Sequence, residues 1–260
     1  MTAALALRAT WLVPTHVIAR RHLVMLLRSP VRVMFGFTQP LIYVVLFGPF
    51  MDTVYHRTGG AGGLRALVPG LLLQLTVFSA GFSGYATLQE RREGILDRQR
   101  VSRAAPGSLL VGRALANAMV TAVQAVLLTL CALPFGFRCD VLGAAVGIAL
   151  LCVLNIGVSV GSMALAYRVT DETIFTPIVQ NTSLPLVIIS GVLLPLTLAP
   201  AWLRDVARFN PLSHSVDALR AAYTGAVDSG AFARGLSVTL ALSLALTLLG
   251  LRSFARNIDR

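Results

Sequence analysis

Between Gln89 and Pro106 the chain reads QERREGILDRQRVSRAAP, a charge-dense island in a sequence otherwise built of long apolar runs. Set on a helix, Glu90, Glu93 and Asp97 fall within about 60° of one another, a three-acid stripe flanked by Arg91, Arg92, Arg98 and Arg100. Like charges at these spacings disfavour an isolated helix by a few tenths of a kcal/mol per pair, and Gly94 costs roughly another 1 kcal/mol against alanine. A partner with compensating contacts would offset both, and Ile95 and Leu96 offer it a small apolar anchor; a solvated loop is the competing reading. The chemistry open to such a segment is electrostatic docking. Covalent catalysis has little support elsewhere: His16, His22, His56 and His214 form neither a metal nor a nucleophile constellation. Cys131, Cys139 and Cys152 are odd in number, lack metal-ligand spacing, and read as inert packing residues. A GxxxxGK phosphate loop is excluded outright, because the chain contains no lysine. If the protein is ATP-driven, another polypeptide binds the ATP.

The elements that carry this island are set by composition. Apolar residues make up 56% of the 260 positions and charged ones only 13%, and the mean hydropathy is +0.76. Such a chain is an integral membrane protein rather than a soluble domain. A hydrocarbon core of roughly 30 Å needs about 20 apolar helical residues per crossing. The runs are too long and too poorly alternating for barrel strands. Six spans are expected: Val31 to Met51, Leu67 to Leu88, Leu109 to Pro134, Val141 to Tyr167, Thr173 to Leu194 and Gly235 to Phe254. The fold class is therefore all-α and polytopic, one transmembrane domain over 1–260. Ahead of the first span, Arg20, Arg21 and Arg28 share an arc of about 100°, which suggests an interfacial helix within residues 11–30. A loop whose arginines merely set topology is the alternative. Residues 1–30 lack an apolar run followed by a small-residue cleavage site, so the first span is expected to be retained.

Arginine sets the orientation. With both termini cytoplasmic, fifteen of the 22 basic residues fall inside and seven outside, in accord with the positive-inside rule. The net charge of +11 then reflects topology and attraction to anionic membrane lipids, not nucleic acid, since the basic residues form no soluble module.

Within the spans the polar residues are neutral. Gln39, Gln74, Asn117, Gln180, Asn181, Thr182 and Ser183 are the candidates for lining a substrate path, alongside Gln124 and Asn155 as further polar positions. Each is costly in lipid unless it faces protein or water. No Asp, Glu or His lies deep in a span, which argues against a proton-coupled pump. Arg113 lies near enough to the inner end to snorkel. Two GxxxG motifs, Gly143 to Gly147 and Gly157 to Gly161, suit either packing within one subunit or a dimer interface.

The run Arg92, Glu93, Gly94, Ile95, Leu96, Asp97, Arg98, closing at Pro106 and followed by Gly112 and Arg113, resembles the cytosolic coupling segment of type-2 ABC exporter permeases. The later stretch from Leu194 to Arg220 resembles the same family's signature, at Pro195, Pro200, Trp202, Asn210, Pro211, Asp217 and Arg220. Length and the lack of a fused ATPase are nearest to the daunorubicin-resistance type of permease. Ile95 departs from the threonine often found after the coupling glycine. The resemblance implies that residues 89–107, including Glu90 and Arg91, couple to a separate ATP-binding cassette subunit that carries ATP and Mg, with no cofactor on this chain. It also implies that residues 195–230 form short re-entrant helices, and that a second permease, identical or similar, completes the route.

On this reading the chain is the transport subunit of an ATP-driven exporter in the cell membrane. The neutral path and the low aromatic content of 7% fit an amphiphilic drug or lipid better than a polysaccharide or glycolipid. An ATP-independent channel or secondary carrier is the alternative of a different class, and a non-transporting anchor is a third.

Overall fold

The computed structural model describes residue 24 and residues 38–50, 63–92, 106–169, 171–192 and 199–258. The described residues are helical and include no strand, as a chain that must satisfy its backbone inside lipid requires. In order they form α1 (Thr38–Phe50), α2 (Gly63–Gly81), α3 (Ser83–Arg92), α4 (Pro106–Ala132), α5 (Val141–Arg168), α6 (Glu172–Ile189), α7 (Ala201–Phe209), α8 (Pro211–Tyr223) and α9 (Gly230–Ile258). The expected interfacial helix over 11–30 lies outside the described residues apart from Val24, and so do residues 93–105 of the charged island.

Among the described residues, four spans are long and apolar enough to cross a membrane: Gly63–Arg92, Leu110–Phe135, Val141–Arg168 and Gly230–Phe254. They match the expected second, third, fourth and sixth crossings. α1 and α6 stand where the first and fifth were expected. Thr38–Phe50 is shorter than a full crossing, and α6 has 18 residues, interrupted by Pro177 and Pro185 and by the QNTS run. α6 also stops before the expected Leu194. Ser190 closes its last turn by donating its backbone N–H to Leu186, and Gly191 follows at φ 74°, a left-handed conformation that ends helices and favours glycine.

α5 is the central post of the bundle. It packs against α2, α3, α4, α8 and α9, and Asp140 caps its start by accepting the Gly143 N–H at 2.6 Å. Leu71 and Leu72 of α2, Leu151 and Leu154 of α5, and Leu219 and Tyr223 of α8 are fully buried where these helices meet. Outward-facing side chains are apolar too. On α4, Leu115, Met119, Val123, Val126 and Leu130 are exposed at intervals of three or four residues, which traces one lipid-facing stripe. Burial against lipid supplies little drive for association, so close packing and interhelical hydrogen bonds must hold the bundle together.

The GxxxG motifs supply that close packing within the chain. A side chain at Gly143 would run into the Ala222 backbone, and one at Gly147 would meet the Tyr223 ring at 2.8 Å. A side chain at Gly157 would reach the Ser243 Cα at 2.5 Å, while Gly161 faces the Leu246 side chain at 3.6 Å. Of the two roles the sequence allowed, packing within the subunit is the one observed. The first motif seats α8 and the second seats α9.

Candidate functional site: an ion-paired end and a clasp opposite

Three helices converge where the charged island leaves the membrane. α3 continues the second span to Arg92, so Glu90 and Arg92 stand on a formed helix. Glu90 pairs with Arg113 of α4; the Arg113 side chain is only 4% exposed and that of Glu90 21%. Arg92 reaches the Glu172 carboxylate at the start of α6, 3.4 Å away. Asp171 caps α6 by accepting the Thr173 N–H at 2.9 Å. That hydrogen bond, with help from the nearby Arg92 charge, holds the Asp171 carboxyl below its ordinary value. The two stems of the island are thus joined to each other and to α6 by charge.

These contacts revise two readings of single residues. Arg113 does not snorkel: α3 extends far enough to bring Glu90 beside it, so the guanidinium is buried and paired. Glu90, expected in a stripe presented to a partner, directs its carboxylate to Arg113 within the chain. Arg91 is exposed beside it. Glu93, Gly94, Ile95, Leu96, Asp97 and Arg98 lie outside the described residues.

Above this end, the second span is broken between Gly81 and Ser83. Ser162 of α5 bridges the break, donating to the Gly81 carbonyl and accepting the Gly84 N–H at 3.2 Å. Gly84 permits this approach, since a side chain there would reach the Ser162 carbonyl oxygen at 2.5 Å. A side chain inserted into a backbone ladder is one of the identifiable causes of a helix bend.

A polar knot lies beside the break. Asn117 donates to Ser159 Oγ at 3.1 Å and to Asn155 Oδ1 at 3.3 Å. Asn155 donates to Thr121 at 3.0 Å, and Ser79 shares a hydrogen with Thr121 at 3.3 Å. Asn117 therefore sits in an interhelical network of α2, α4 and α5. Gln74 is 9% exposed, and its Oε1 has no hydrogen-bond partner among the described residues. Gln180, Asn181 and Thr182 are exposed on α6, Ser183 is half-buried and Gln39 is exposed on α1, where it donates to the Tyr43 hydroxyl at 3.3 Å. The structure thus divides the path candidates into two inside the subunit, four exposed on it, and Ser183 between the two. The knot was missed as a unit, although its periodicity was available: Ser79 and Ser83, Asn117 and Thr121, and Asn155 and Ser159 are each four apart, one turn on a helix face.

At the opposite end, two short helices occupy part of the region expected to be re-entrant. Pro200 precedes α7 and Pro211 opens α8. Asn210 joins them: its Oδ1 accepts the Leu212 N–H at 3.0 Å and its Nδ2 donates to the Leu186 carbonyl of α6 at 2.7 Å. Asp217 and Arg220 form the expected pair at 3.8 Å. Arg220 does more through its other nitrogens, donating to the Gly191 carbonyl at 2.8 Å and to the Ala66 carbonyl of α2 at 3.2 Å. One guanidinium thereby clasps α2, α8 and the turn after α6. Trp202 is exposed on α7, and Pro195 lies outside the described residues.

A bundle whose described residues include four spans long and apolar enough to cross a membrane, tied by charge at one end and clasped at the other, defines an integral membrane protein. Residues 15–224 match the ABC-2 type transporter family. The chain belongs to that family and is the membrane subunit of an ABC transporter. It is 25% identical over 213 residues to a protein of Cyanophora paradoxa named as a transport permease, ycf38, covering 80% of this chain and 73% of that one. A protein of Mycobacterium tuberculosis named as a probable doxorubicin resistance ABC transporter permease, DrrC, is 24% identical over 195 residues, 74% of this chain and 70% of the relative. Nodulation protein J of Rhizobium leguminosarum bv. trifolii is 27% identical over 188 residues, 70% of each chain.

Proposed function

We propose that this chain is the membrane-spanning half of an ATP-driven exporter that moves an amphiphilic drug or lipid-like molecule out of the cell. It works as a pair of permeases, identical or similar, with two copies of a separate ATP-binding cassette subunit that carry ATP and Mg. The protein lies in the cell membrane with both termini cytoplasmic. The observation that carries the reading is the ionic wiring of the inner end, where the Glu90–Arg113 and Arg92–Glu172 pairs tie the island's stems to α4 and α6. A push on residues 93–98 would be delivered to three helices at once. ATP biases such a transition only through different interaction energies with the inward-open and outward-open states.

The route runs between two permeases. Gln180, Asn181 and Thr182 of α6 are exposed on the isolated chain, and amide groups left against lipid cost about 1–3 kcal/mol each. A second subunit, water or cargo offsets that cost. Pro195, Pro200, Trp202, Asn210, Pro211, Asp217 and Arg220 close the outer end, with Asn210 and Arg220 as the tie points. The relative named for doxorubicin resistance favours an amphiphilic cargo. The polar run on α6 is the feature that favours a glycan instead, and stronger binding of polyprenyl-linked glycans than of lipophilic cations would establish that second reading.

Affinity purification from the native membrane tests the coupling. Wild-type protein is expected to bring down a soluble ATPase identifiable by mass spectrometry. Glu93→Arg places a like charge among the island's arginines, a mismatch that costs several kcal/mol at an interface, and recovery is expected to fall about tenfold or more with insertion unchanged. Equal recovery from both would move docking off the island; no ATPase under mild extraction, together with transport by the isolated chain on an ion gradient, would establish a secondary carrier.

A further inference from the structure

A groove of about 320 Å³ runs along the membrane face between α5 and α9 at the inner end. Its walls are apolar and its floor is made of small residues: Gly161 and Ala164 on α5, Gly250 on α9, with Leu165, Leu246 and Leu249 as the sides. A second hollow shares Gly161, Leu165 and Leu246 and continues the first towards α6, where Val179 and Thr182 line it. Together they follow α5 from Val158 to Arg168, about 15 Å of helix.

The mouth of the groove differs in chemistry from its walls. Arg168 and Ser253 line it there, and the Arg168 Nε donates to Ser253 Oγ at 3.0 Å, which holds the guanidinium at the groove. No carboxylate among the described residues is ion-paired with Arg168. The acids that follow it in sequence face Arg92 instead, Glu172 as its salt-bridge partner and Asp171 under its charge. Arg252, next to Ser253, is exposed at the same end. An apolar slot ending in a cation asks for an amphiphile with the opposite polarity, an acyl chain ending in an anionic oxygen group.

We propose that this groove is a binding site for an anionic glycerophospholipid, with one acyl chain lying over Gly161 and Gly250 and the phosphate on the Arg168 fork. Arginine suits the phosphate because its planar donors match the anion's oxygens two at a time, and basic pockets between transmembrane helices favour acidic headgroups. Bound there, the lipid touches α5, α6 and α9 together and braces α6 against the bundle. The proposal requires only that the groove meet a lipid leaflet, and its outcome is independent of the cargo and of ATPase docking.

The full chain, extracted mildly with its accompanying subunits, is titrated with phosphatidylglycerol and with phosphatidylcholine, and retained lipid is read by native mass spectrometry. Wild type is expected to prefer phosphatidylglycerol about fivefold, the scale of one arginine at a membrane surface. Arg168→Gln should bring that preference to about one, while Gly161→Leu fills the groove and lowers retention of both lipids. An unchanged preference in Arg168→Gln overturns the proposal. So does a cross-link from Leu249→Cys to a second copy of the chain, which would make the groove a protein interface. Arg168 is exposed and caps no helix, so its variant decides the matter whatever Gly161→Leu does to stability.

Discussion

At the scale of single residues, the ion-paired end of the bundle turns on a charge pair that neither partner can leave cheaply. Arg113 is nearly buried and Glu90 a fifth exposed, so removing one partner strands the other in a poorly solvated site. Arg113→Ala is expected to cost about 3 kcal/mol, the lower end for breaking a buried pair because Glu90 keeps some access to water. Exchanging the two residues, Glu90→Arg with Arg113→Glu, should restore most of that loss in thermal unfolding of the solubilised protein. A double variant no more stable than Arg113→Ala would show that Arg113 acts through packing instead of charge. The sequence marked both residues but not their partnership. Twenty-three positions separate them, and only the height to which α3 extends the second span decides whether an arginine in the third span reaches for solvent or for Glu90.

At the scale of elements, α5 is organised by where it lacks side chains. A Cβ at Gly157 would press on the Ser243 backbone, whereas one at Gly161 would make an ordinary contact with Leu246. Gly157→Ala is therefore expected to destabilise by about 1–3 kcal/mol through overpacking, and Gly161→Ala to fall within about 0.5 kcal/mol of wild type. Equal losses at the two sites would mean that the helices separate easily at their crossing. Hydropathy located α5 and α9 well, because long uninterrupted apolar runs leave little choice. It located α1 and α6 poorly, because α6 mixes two prolines and the QNTS run into its length and its end is set by a backbone turn at Gly191. The outer helices were legible through Pro200, Asn210 and Pro211, residues that start helices for local reasons. Arg220's grip on Gly191 and Ala66 was not, since a carbonyl partner leaves no mark on sequence.

At the scale of the whole molecule, Gly143, Gly147 and Gly157 of α5 are taken up by α8 and α9, which leaves them unavailable to the proposed second permease. The exposed amides of α6 are the surface with most to gain from cover. In a variant lacking Cys131, Cys139 and Cys152, Asn181→Cys is expected to form a cross-linked permease pair in native membranes, and Val123→Cys on the lipid-facing stripe of α4 is not. Cross-linking equal at both positions would remove α6 from the interface. In the coupling proposed above, α3 is the element nearest the island, and it meets α2 at a break spanned by one hydroxyl. Ser162 holds the carbonyl on one side of the α2–α3 break and the amide on the other. If α3 shifts in that step, this hydroxyl is the point about which it would turn, since it already makes a contact on either side of the break. The proposed stroke would then bend the span where its helix is already interrupted, between Gly81 and Ser83.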